Sequence, residues 1–291
     1  CQKLGEAEVM AEAGIEDILI ATNIIGAARS GQLAALQRRT PLKICADNPV
    51  SLAAYAKAGG AADRPVNVLI ECDTGRKRAG VETPGEAVAL AKMVREDPWL
   101  QFGGLLFYPP SDGWPATQQF LDTAREGLAD LGLVPEIIST GGTPNLVNLG
   151  RLEGATEHRA GTCIFNDRMM MAAGVARIDD CALKIFTSVV SRGGDKRGIL
   201  DAGSKTFTSD TGGLDGFGLI LEHPEARIHN MAEEHGFLDL SDCERPPAVG
   251  DILRVVPNHV CVAVNMFDHL VAVRGNRIVD VLPVAARGRL V

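Results

Sequence analysis

The sequence lacks an excess of positive charge and lacks long hydrophobic runs. Among its 291 residues, 29 lysines and arginines stand against 37 aspartates and glutamates, which gives a formal net charge of -8. A surface that binds nucleic acid through the phosphates needs basic residues in excess. A membrane-spanning helix needs about 20 consecutive apolar residues, and charges interrupt the apolar runs before that length. The sequence therefore argues against nucleic acid as the main partner and predicts no transmembrane helix.

Several common motifs are also missing. The seven cysteines, an odd number, form no CxxC pair, which indicates reduced thiols rather than a disulfide framework. We therefore expect a cytoplasmic protein. Neither the GxxxxGKS/T pattern of a P-loop nor the GxGxxG pattern of a dinucleotide-binding fold occurs.

The beginning of the chain is unusual. It opens with Cys1-Gln2-Lys3-Leu4, without a starting methionine or a signal peptide. We interpret this start as lying inside an element of the fold, and we expect a leading segment to be missing.

The first 165 residues alternate strand-like and helix-like segments. Apolar residues recur every three or four positions in 5–13, 84–95 and 116–131, which predicts helices. Alternating strands and helices form a parallel sheet, and ligands bind at the carboxyl ends of its strands. Six or seven strands are visible rather than eight, so we expect one or two strands to precede residue 1. The strand-like runs lie at 17–21, 42–46, 66–71, 102–107, 135–139 and 158–165.

Residues beyond about 178 show a different pattern. Alternating, β-branched runs predict an all-β domain. We place the boundary within 166–180, which divides the chain into a β/α domain of residues 1–170 and a β domain of residues 171–291. The runs lie at 182–191, 198–201, 251–256, 259–265, 270–273 and 276–284.

Two loops that follow predicted strands have the composition of anion sites. The loop 73–81 contains Arg78, and an arginine at a strand end pairs well with a carboxylate, phosphate or phenolate oxygen. The loop 139–145 contains adjacent glycines, whose N–H groups can approach an anion closely, and hydroxyls that add donors. On residue types alone, a solvated loop and an ordinary turn are the alternatives.

A histidine and a cysteine separated by one residue lie in the predicted strand 259–265. Alternate residues of a strand point to the same face, so His259 and Cys261 could bind one metal ion. Imidazole with thiolate suits zinc, and two protein ligands leave positions for water and substrate. A core cysteine beside a hydrogen-bonded histidine is the alternative.

Two other side chains are candidates for chemistry. His235 could enter a pocket from the segment 233–236, and Lys205 could form a Schiff base if it were desolvated. An exposed turn is the alternative for both residues.

Taken in order, these segments resemble the D-threonine aldolase and D-serine dehydratase branch of the alanine-racemase-like enzymes, which use pyridoxal 5'-phosphate (PLP). The resemblance extends along essentially the whole chain. It is carried by Cys1–Glu8, Asp73–Val81, Ser139–Thr143, Ala160–Thr162, Asp201–Gly203, Glu234–Gly236, Pro257–Cys261 and Val284–Gly288.

This resemblance implies an α/β fold, a PLP-binding (β/α)8 TIM-like barrel of the alanine racemase type followed by a C-terminal all-β domain, usually as a homodimer. It implies that Gln2, Arg78 and Tyr108 lie beside the pyridine ring and its substituents. The residues that it implies for the phosphate are Thr140, Gly141, Gly142, Thr143, Gly161 and Thr162.

The resemblance also implies a divalent metal, zinc, manganese or magnesium, bound by His259 and Cys261. His235 is our candidate for a substrate contact or a proton shuttle. The family's Schiff-base lysine lies on the first barrel strand, upstream of the segment that matches Cys1–Lys3, and we expect it in the missing leading segment.

The resemblance implies a PLP- and metal-dependent lyase that acts on a small D-3-hydroxy amino acid. We expect a D-threonine aldolase, which forms glycine and acetaldehyde, because Phe107–Pro110 is more similar to bacterial aldolases. Aldolases of the family often have His-x-Asp and dehydratases His-x-Cys, so His259 and Cys261 favour the alternative, a D-serine dehydratase that forms pyruvate and ammonia. Non-catalytic PLP-binding proteins are generally single barrels, so the β domain with His259 and Cys261 argues against that alternative. An amino-acid racemase is a further alternative that would need no metal, and metal dependence separates it from the lyases.

Overall fold

The computed structural model describes residues 1–290, which form two compact units. The first unit contains Cys1–Ala160 and the end of the chain from Gly288, and the second contains Gly161–Arg287. The predicted domain boundary after residue 170 lies inside the second unit, within the helix Arg168–Ala172. No helix among residues 1–290 is long and apolar enough to cross a membrane.

A six-stranded parallel sheet forms the centre of the first unit, and its strands pair in sequence order. The strands are β1 (Ile18–Ile20), β2 (Leu42–Ala46), β3 (Val66–Cys72), β4 (Leu100–Phe107), β5 (Ile137–Gly141) and β6 (Glu157–Arg159). The helices are α1 (Leu4–Glu12), α2 (Ala27–Arg39), α3 (Pro49–Ala62), α4 (Pro84–Glu96) and α5 (Trp114–Asp130). The predicted parallel sheet is confirmed, and six strands agree with the expected six or seven.

The sequence of α4 shows why these helices form where they do. Thr83 and Glu86 form a reciprocal capping box, and Pro84 occupies the first turn, where its missing N–H costs nothing. The buried side chains of α4 recur at helical spacing, so one stripe packs against the sheet and the opposite face stays in solvent. They are Ala87, Leu90, Ala91 and Val94.

The second unit is built mainly from antiparallel strands. A six-stranded sheet has the order β10-β11-β8-β7-β12-β9, and β13 and β14 form a separate hairpin. The strands are β7 (Ile185–Arg192), β8 (Arg197–Leu200), β9 (Leu219–Ile220), β10 (Arg227–Met231), β11 (Gly236–Asp239), β12 (Ile252–Val256), β13 (His269–Arg274) and β14 (Arg277–Pro283). Its short helices are α6 (Arg168–Ala172), α7 (Ser204–Phe207) and α8 (Val260–Asn265).

Two predicted strands are wrong. The run 158–165 is a strand only as far as Arg159, and Thr162–Ile164 forms a 3-10 helix. The run 259–265 is the helix α8, although its alternating valines favour a strand. Val260 and Ala263 are buried at helical spacing, so tertiary packing overrides the local preference.

Candidate active site

A cavity of about 250 Å³ opens at the carboxyl ends of β1 and β3. Gln2 and Arg78, both expected beside the cofactor ring, line it together. Asn23, which follows β1, and Glu71, near the end of β3, complete the polar part of the lining. The structure therefore brings two separated sequence segments to one site.

Tyr108, which directly follows β4, connects this cavity to the glycine loop after β5. The guanidinium carbons of Arg76 and Arg78 lie 4.9 and 4.6 Å from the centroid of its ring. A Cβ on Gly142, whose φ is +100°, would lie 2.9 Å from the Tyr108 hydroxyl oxygen. Only glycine avoids both the left-handed strain and this contact. Arg78, Tyr108 and Gly142 therefore form one continuous surface at this end of the sheet.

The predicted phosphate loop is held by contacts within the first unit. His158 Nδ1 lies 2.7 Å from the Thr140 hydroxyl, and its Nε2 lies 3.1 Å from the carbonyl oxygen of Gly142. Burial lowers the pKa of His158, so the neutral ring accepts from Thr140 and donates to Gly142. The N–H of Gly142 donates to the carbonyl of Arg159 at 2.9 Å. These bonds fix the shape of the loop, and its role in binding phosphate stays a prediction.

Arg159, which the sequence reasoning missed, is a half-buried cation of this site. Its guanidinium donates to Ser139 Oγ at 2.5 Å and to the carbonyl oxygen of Phe107 at 3.0 Å. Ser139 in turn donates to Glu157 at 2.5 Å. Burial lowers the pKa of Arg159, and the charge of Glu157 opposes this shift. The opposite charges of Glu157 and Arg159, two residues apart at the start of a predicted strand, were the signal that could have identified it.

Glu71 is a buried carboxyl group on the cavity wall. It is 3% exposed, and Oε2 accepts a hydrogen bond from the thiol of Cys45 at 3.3 Å. Among residues 1–290, no basic nitrogen lies within ion-pair distance of it. Burial raises the pKa of Glu71, and the hydrogen bond from Cys45 and the charges of Arg78 and Arg159 oppose the rise. The carboxyl group is therefore protonated more readily than an exposed glutamate.

The predicted metal pair lies in the second unit, at the start of α8. His259 is the N-cap residue of this helix, and Cys261 lies in its first turn. Nδ1 of His259 lies 2.9 Å from Oδ2 of Asp167, a carboxylate with no exposed surface. Oδ2 of Asp167 also accepts from the N–H of Val260, and Oδ1 from the N–H of Met170. Three donors thus fix the Asp167 carboxylate, which in turn orients the imidazole.

His259 and Cys261 interact directly, although they are not on a strand. Hydrogen bonds, first to Asp167 and then to Cys261, raise the pKa of His259 to about 10. The hydrogen bond to His259 lowers the pKa of the Cys261 thiol, against the effect of burial. Thr162, expected at the phosphate, also hydrogen-bonds to Cys261. Thr162 and Gly161 belong to the second unit, so the structure places Thr162 beside the predicted metal pair.

The two remaining candidates lie in an exposed region of the second unit. His235 lies in the turn between β10 and β11 and is exposed. Nζ of Lys205 forms an ion pair with Glu234 at 2.5 Å, with both side chains more than half exposed. A lysine in water keeps its proton and is a poor nucleophile, so its surroundings do not favour Lys205 as a Schiff-base residue.

Comparisons with known proteins place this arrangement in a family. The family model described as "Alanine racemase, N-terminal domain" matches residues 1–169, and the model described as "Putative serine dehydratase domain" matches residues 182–273. The D-threonine aldolase of Arthrobacter sp. is 30% identical over 302 residues, which cover 99% of this chain and 78% of that aldolase. This chain belongs to the alanine-racemase-like family of D-threonine aldolases and D-serine dehydratases. It is a PLP-dependent lyase.

Solved structures of family members have the same architecture. D-Threonine aldolase from Filomicrobium marinum gives a TM-score of 0.88 at 28% identity, covering 99% of this chain and 81% of that chain. D-threo-3-hydroxyaspartate dehydratase from Delftia sp. HT23 gives 0.84 at 27% identity, covering 97% and 82%. These likenesses confirm the predicted alanine-racemase-type barrel fold with a C-terminal β domain.

Structures of D-threo-3-hydroxyaspartate dehydratase variants are similar to this chain as well. In one a histidine is replaced by alanine, and in another a cysteine two positions further along the chain is replaced by alanine, in a structure described as the metal-free form. In this chain, residues 1–290 contain no group of three or more histidine, cysteine, aspartate or glutamate side chains that is arranged to hold a metal ion.

Proposed function

We propose that this lyase cleaves D-threonine to glycine and acetaldehyde in a reaction that depends on PLP and a divalent metal. The observation that carries the metal dependence is the Asp167–His259–Cys261 cluster, in which a buried carboxylate orients an imidazole beside a thiol of lowered pKa. Similarity to a D-threonine aldolase over 99% of the chain supports the reaction. A homodimer and the contact of His235 with substrate stay predictions.

The first unit offers the residues that would hold the cofactor. Arg78 and Gln2 line one cavity, and the ring of Tyr108 packs between Arg78 and Gly142. The side chains in that cavity therefore fit a flat, anionic ring compound. When bound, PLP supplies an electron sink for bonds at the α-carbon of an amino acid. The residues of this chain orient the ring and neutralise its charge.

The donor set at the start of α8 fits a divalent metal. Nδ1 of His259 is hydrogen-bonded to Asp167, so Nε2 is the nitrogen left to bind a metal. The hydrogen bond to the carboxylate also raises the basicity of the imidazole. A hydrogen bond joins His259 and Cys261, so the imidazole and the sulfur lie close together. A single ion bound by both side chains requires this proximity. Imidazole and thiolate suit zinc best, with manganese and magnesium as the other candidates. A bound ion there would supply Lewis-acid chemistry at the substrate hydroxyl.

A dehydratase is the second candidate, because one observation favours it. The spacing of His259 and Cys261 equals that of the histidine and cysteine replaced in variants of a D-threo-3-hydroxyaspartate dehydratase, and one structure of the cysteine variant is described as the metal-free form. The substrates of this reaction would be D-serine or a D-3-hydroxyaspartate, and its products a keto acid and ammonia.

The test uses the product of the complete gene, supplied with PLP and given D-threonine, D-serine and D-threo-3-hydroxyaspartate separately. We expect glycine and acetaldehyde from D-threonine, lost on addition of a chelator and restored by zinc or manganese. A keto acid and ammonia as the main products would replace the aldolase with the dehydratase. Unchanged activity after chelation, with a metal analysis that finds no ion, would exclude the metal.

Two histidine variants provide a matched comparison. His259→Ala removes a proposed metal ligand, whereas His269→Ala removes an exposed histidine from the hairpin strand β13. We expect the first variant to lose bound metal and activity together, and the second to keep both.

A further inference from the structure

A second cavity lies in the first unit, outside the candidate active site. It has a volume of about 500 Å³ and lies between the loop that follows β3 and the first half of α5. Its polar lining includes Asp73, Lys77, Glu82 and Gln119, and its apolar wall includes Phe120. None of its residues lines the smaller cavity that holds Gln2 and Arg78. The two cavities are therefore separate sites.

Asp73 is a buried carboxylate on the wall of this cavity, and one of its oxygens is free. The residue is 9% exposed, and Oδ1 accepts hydrogen bonds from the N–H groups of Gly75 and Arg76 at 2.9 and 2.7 Å. Oδ2 accepts no hydrogen bond from any residue in the described part of the chain. Oδ2 is not among the buried, unpaired side-chain atoms of the described residues, so it is open to the cavity, where a positively charged donor can reach it.

Lys77 supplies the cavity with a positive charge. It has φ +55°, a left-handed backbone that a lysine rarely adopts, and such strain is concentrated at ligand sites. Its neighbours Arg76 and Arg78 both reach the ring of Tyr108, whereas Lys77 lines the cavity. Within residues 1–290, its ammonium group forms no ion pair.

The loop is held in place against α5. The hydroxyl groups of Thr74 and Thr117 lie 2.7 Å apart, and Thr117 is fully buried. The two walls of the cavity are therefore connected by a direct hydrogen bond, and the charges on the loop keep their positions relative to Gln119 and Phe120.

We propose that this cavity binds a free α-amino acid as a zwitterion. The ammonium group of the ligand lies with the carboxylates of Asp73 and Glu82, and its carboxylate with the ammonium group of Lys77. Its side chain contacts Phe120, and Gln119 offers an amide to either polar end. This site does not depend on the reaction proposed above.

The charges of the lining select the zwitterion over simpler ligands. A simple anion would be attracted by Lys77 but repelled by Asp73 and Glu82, and a simple cation would pair with the two carboxylates but would leave Lys77 without a partner. A ligand with both charges satisfies all three groups. The proposed class is therefore the small, uncapped amino acids.

The probe for this site is N,N-dimethylglycine, a zwitterion that keeps one N–H donor but whose tertiary amine cannot condense with an aldehyde. Its binding to the complete protein is measured by titration calorimetry at millimolar concentration, with acetate as the ligand that lacks the ammonium group. We expect dimethylglycine to bind and acetate to bind at least about tenfold more weakly. No binding of dimethylglycine would overturn the proposal.

Charge-removing variants locate the binding. Lys77→Gln and Glu82→Gln should each weaken dimethylglycine binding by about tenfold. Lys57→Gln on α3 and Glu126→Gln on α5 remove exposed charges away from the cavity and should leave it unchanged. Equal affinity in all four variants would show that the ligand binds elsewhere and would overturn the proposal. Both cavity substitutions are at exposed residues, and thermal unfolding checks that the variants remain folded.

Discussion

Nδ1 of His259 lies 2.9 Å from Oδ2 of Asp167, and the two residues are 92 positions apart in the chain. Asp167 has no exposed surface, and its carboxylate is also the N-cap of α6. One buried side chain therefore both begins a helix and fixes the ring of the proposed metal ligand.

Replacing Asp167 tests this orientation. Asp167→Asn keeps an oxygen for the helix cap, because asparagine is as good an N-cap residue as aspartate. It removes the negative charge that holds the imidazole, so we expect metal affinity to fall by about 10- to 100-fold. Competition with a chelator measures the affinity, and Asp215→Asn, at an exposed aspartate, is the control. Unchanged metal affinity in Asp167→Asn would refute a role for the carboxylate in the metal site.

The buried carboxyl group of Glu71 predicts a dependence of stability on pH. Because burial raises its pKa above the ordinary value of 4.5, the folded state holds a proton that the unfolded state has already released. The stability it contributes is thus present below pH 4.5 and is lost as the pH rises through the folded-state pKa.

The variant Glu71→Gln keeps the shape of the side chain without the ionisation. We expect it to gain free energy of unfolding relative to the native sequence as the pH rises from 4.5 to neutrality. Urea unfolding across this range measures the difference, and Glu136→Gln, at an exposed glutamate, serves as the control. Parallel pH profiles for Glu71→Gln and the native sequence would mean that Glu71 titrates normally.

The glycine loop after β5 predicts a stability loss on substitution. Gly142→Ala places a Cβ 2.9 Å from the Tyr108 hydroxyl at a φ of +100°, so we expect a loss of about 1–3 kcal/mol in the free energy of unfolding. Gly150→Ala adds a methyl group with no atom within 4 Å and no positive φ, and is the matched control. PLP binding, followed by its absorbance, should weaken in Gly142→Ala alone. Equal stability of the two variants would contradict the tight approach of Tyr108.

Lys205 offers a negative prediction. Its ammonium group is exposed and paired with Glu234, so Lys205→Gln should change neither PLP binding nor turnover. Borohydride reduction followed by peptide mapping identifies the lysine that carries PLP. A label on Lys205, or loss of PLP absorbance in the variant, would assign it the covalent role after all.

Much of the first unit could be predicted from the sequence because its signals are local. The runs 66–71 and 102–107 are apolar and short, and the stretch 84–95 has helical spacing and a capping box at Thr83, so each segment specifies its own structure. Helices α2 and α3 were not singled out. Their glycines and small residues at Gly31, Gly59 and Gly60 weaken the helical pattern.

The candidate site was predicted in part: the sequence identified Arg78 and Tyr108 but not Arg159. Arg78 and Tyr108 follow strands, and strand ends meet in a parallel sheet, so their proximity follows from the topology. Arg159 was missed because a charged residue in a strand is ordinarily read as exposed. Only the folded sheet shows that Ser139 and the carbonyl oxygen of Phe107 surround its guanidinium.

The sequence by itself determined the alternation of strands and helices in the first unit and the change to antiparallel structure, because these depend on neighbours within a few residues. The tertiary structure decided that His259 and Cys261 begin a helix rather than lie on a strand, since Val260 donates to Asp167 and Ala263 is buried. It also decided the partners of the buried carboxyl groups of Asp167 and Glu71 and of the half-buried Arg159. A buried charge is stabilised by whichever groups the fold brings to it across tens of residues, and no local pattern encodes that choice.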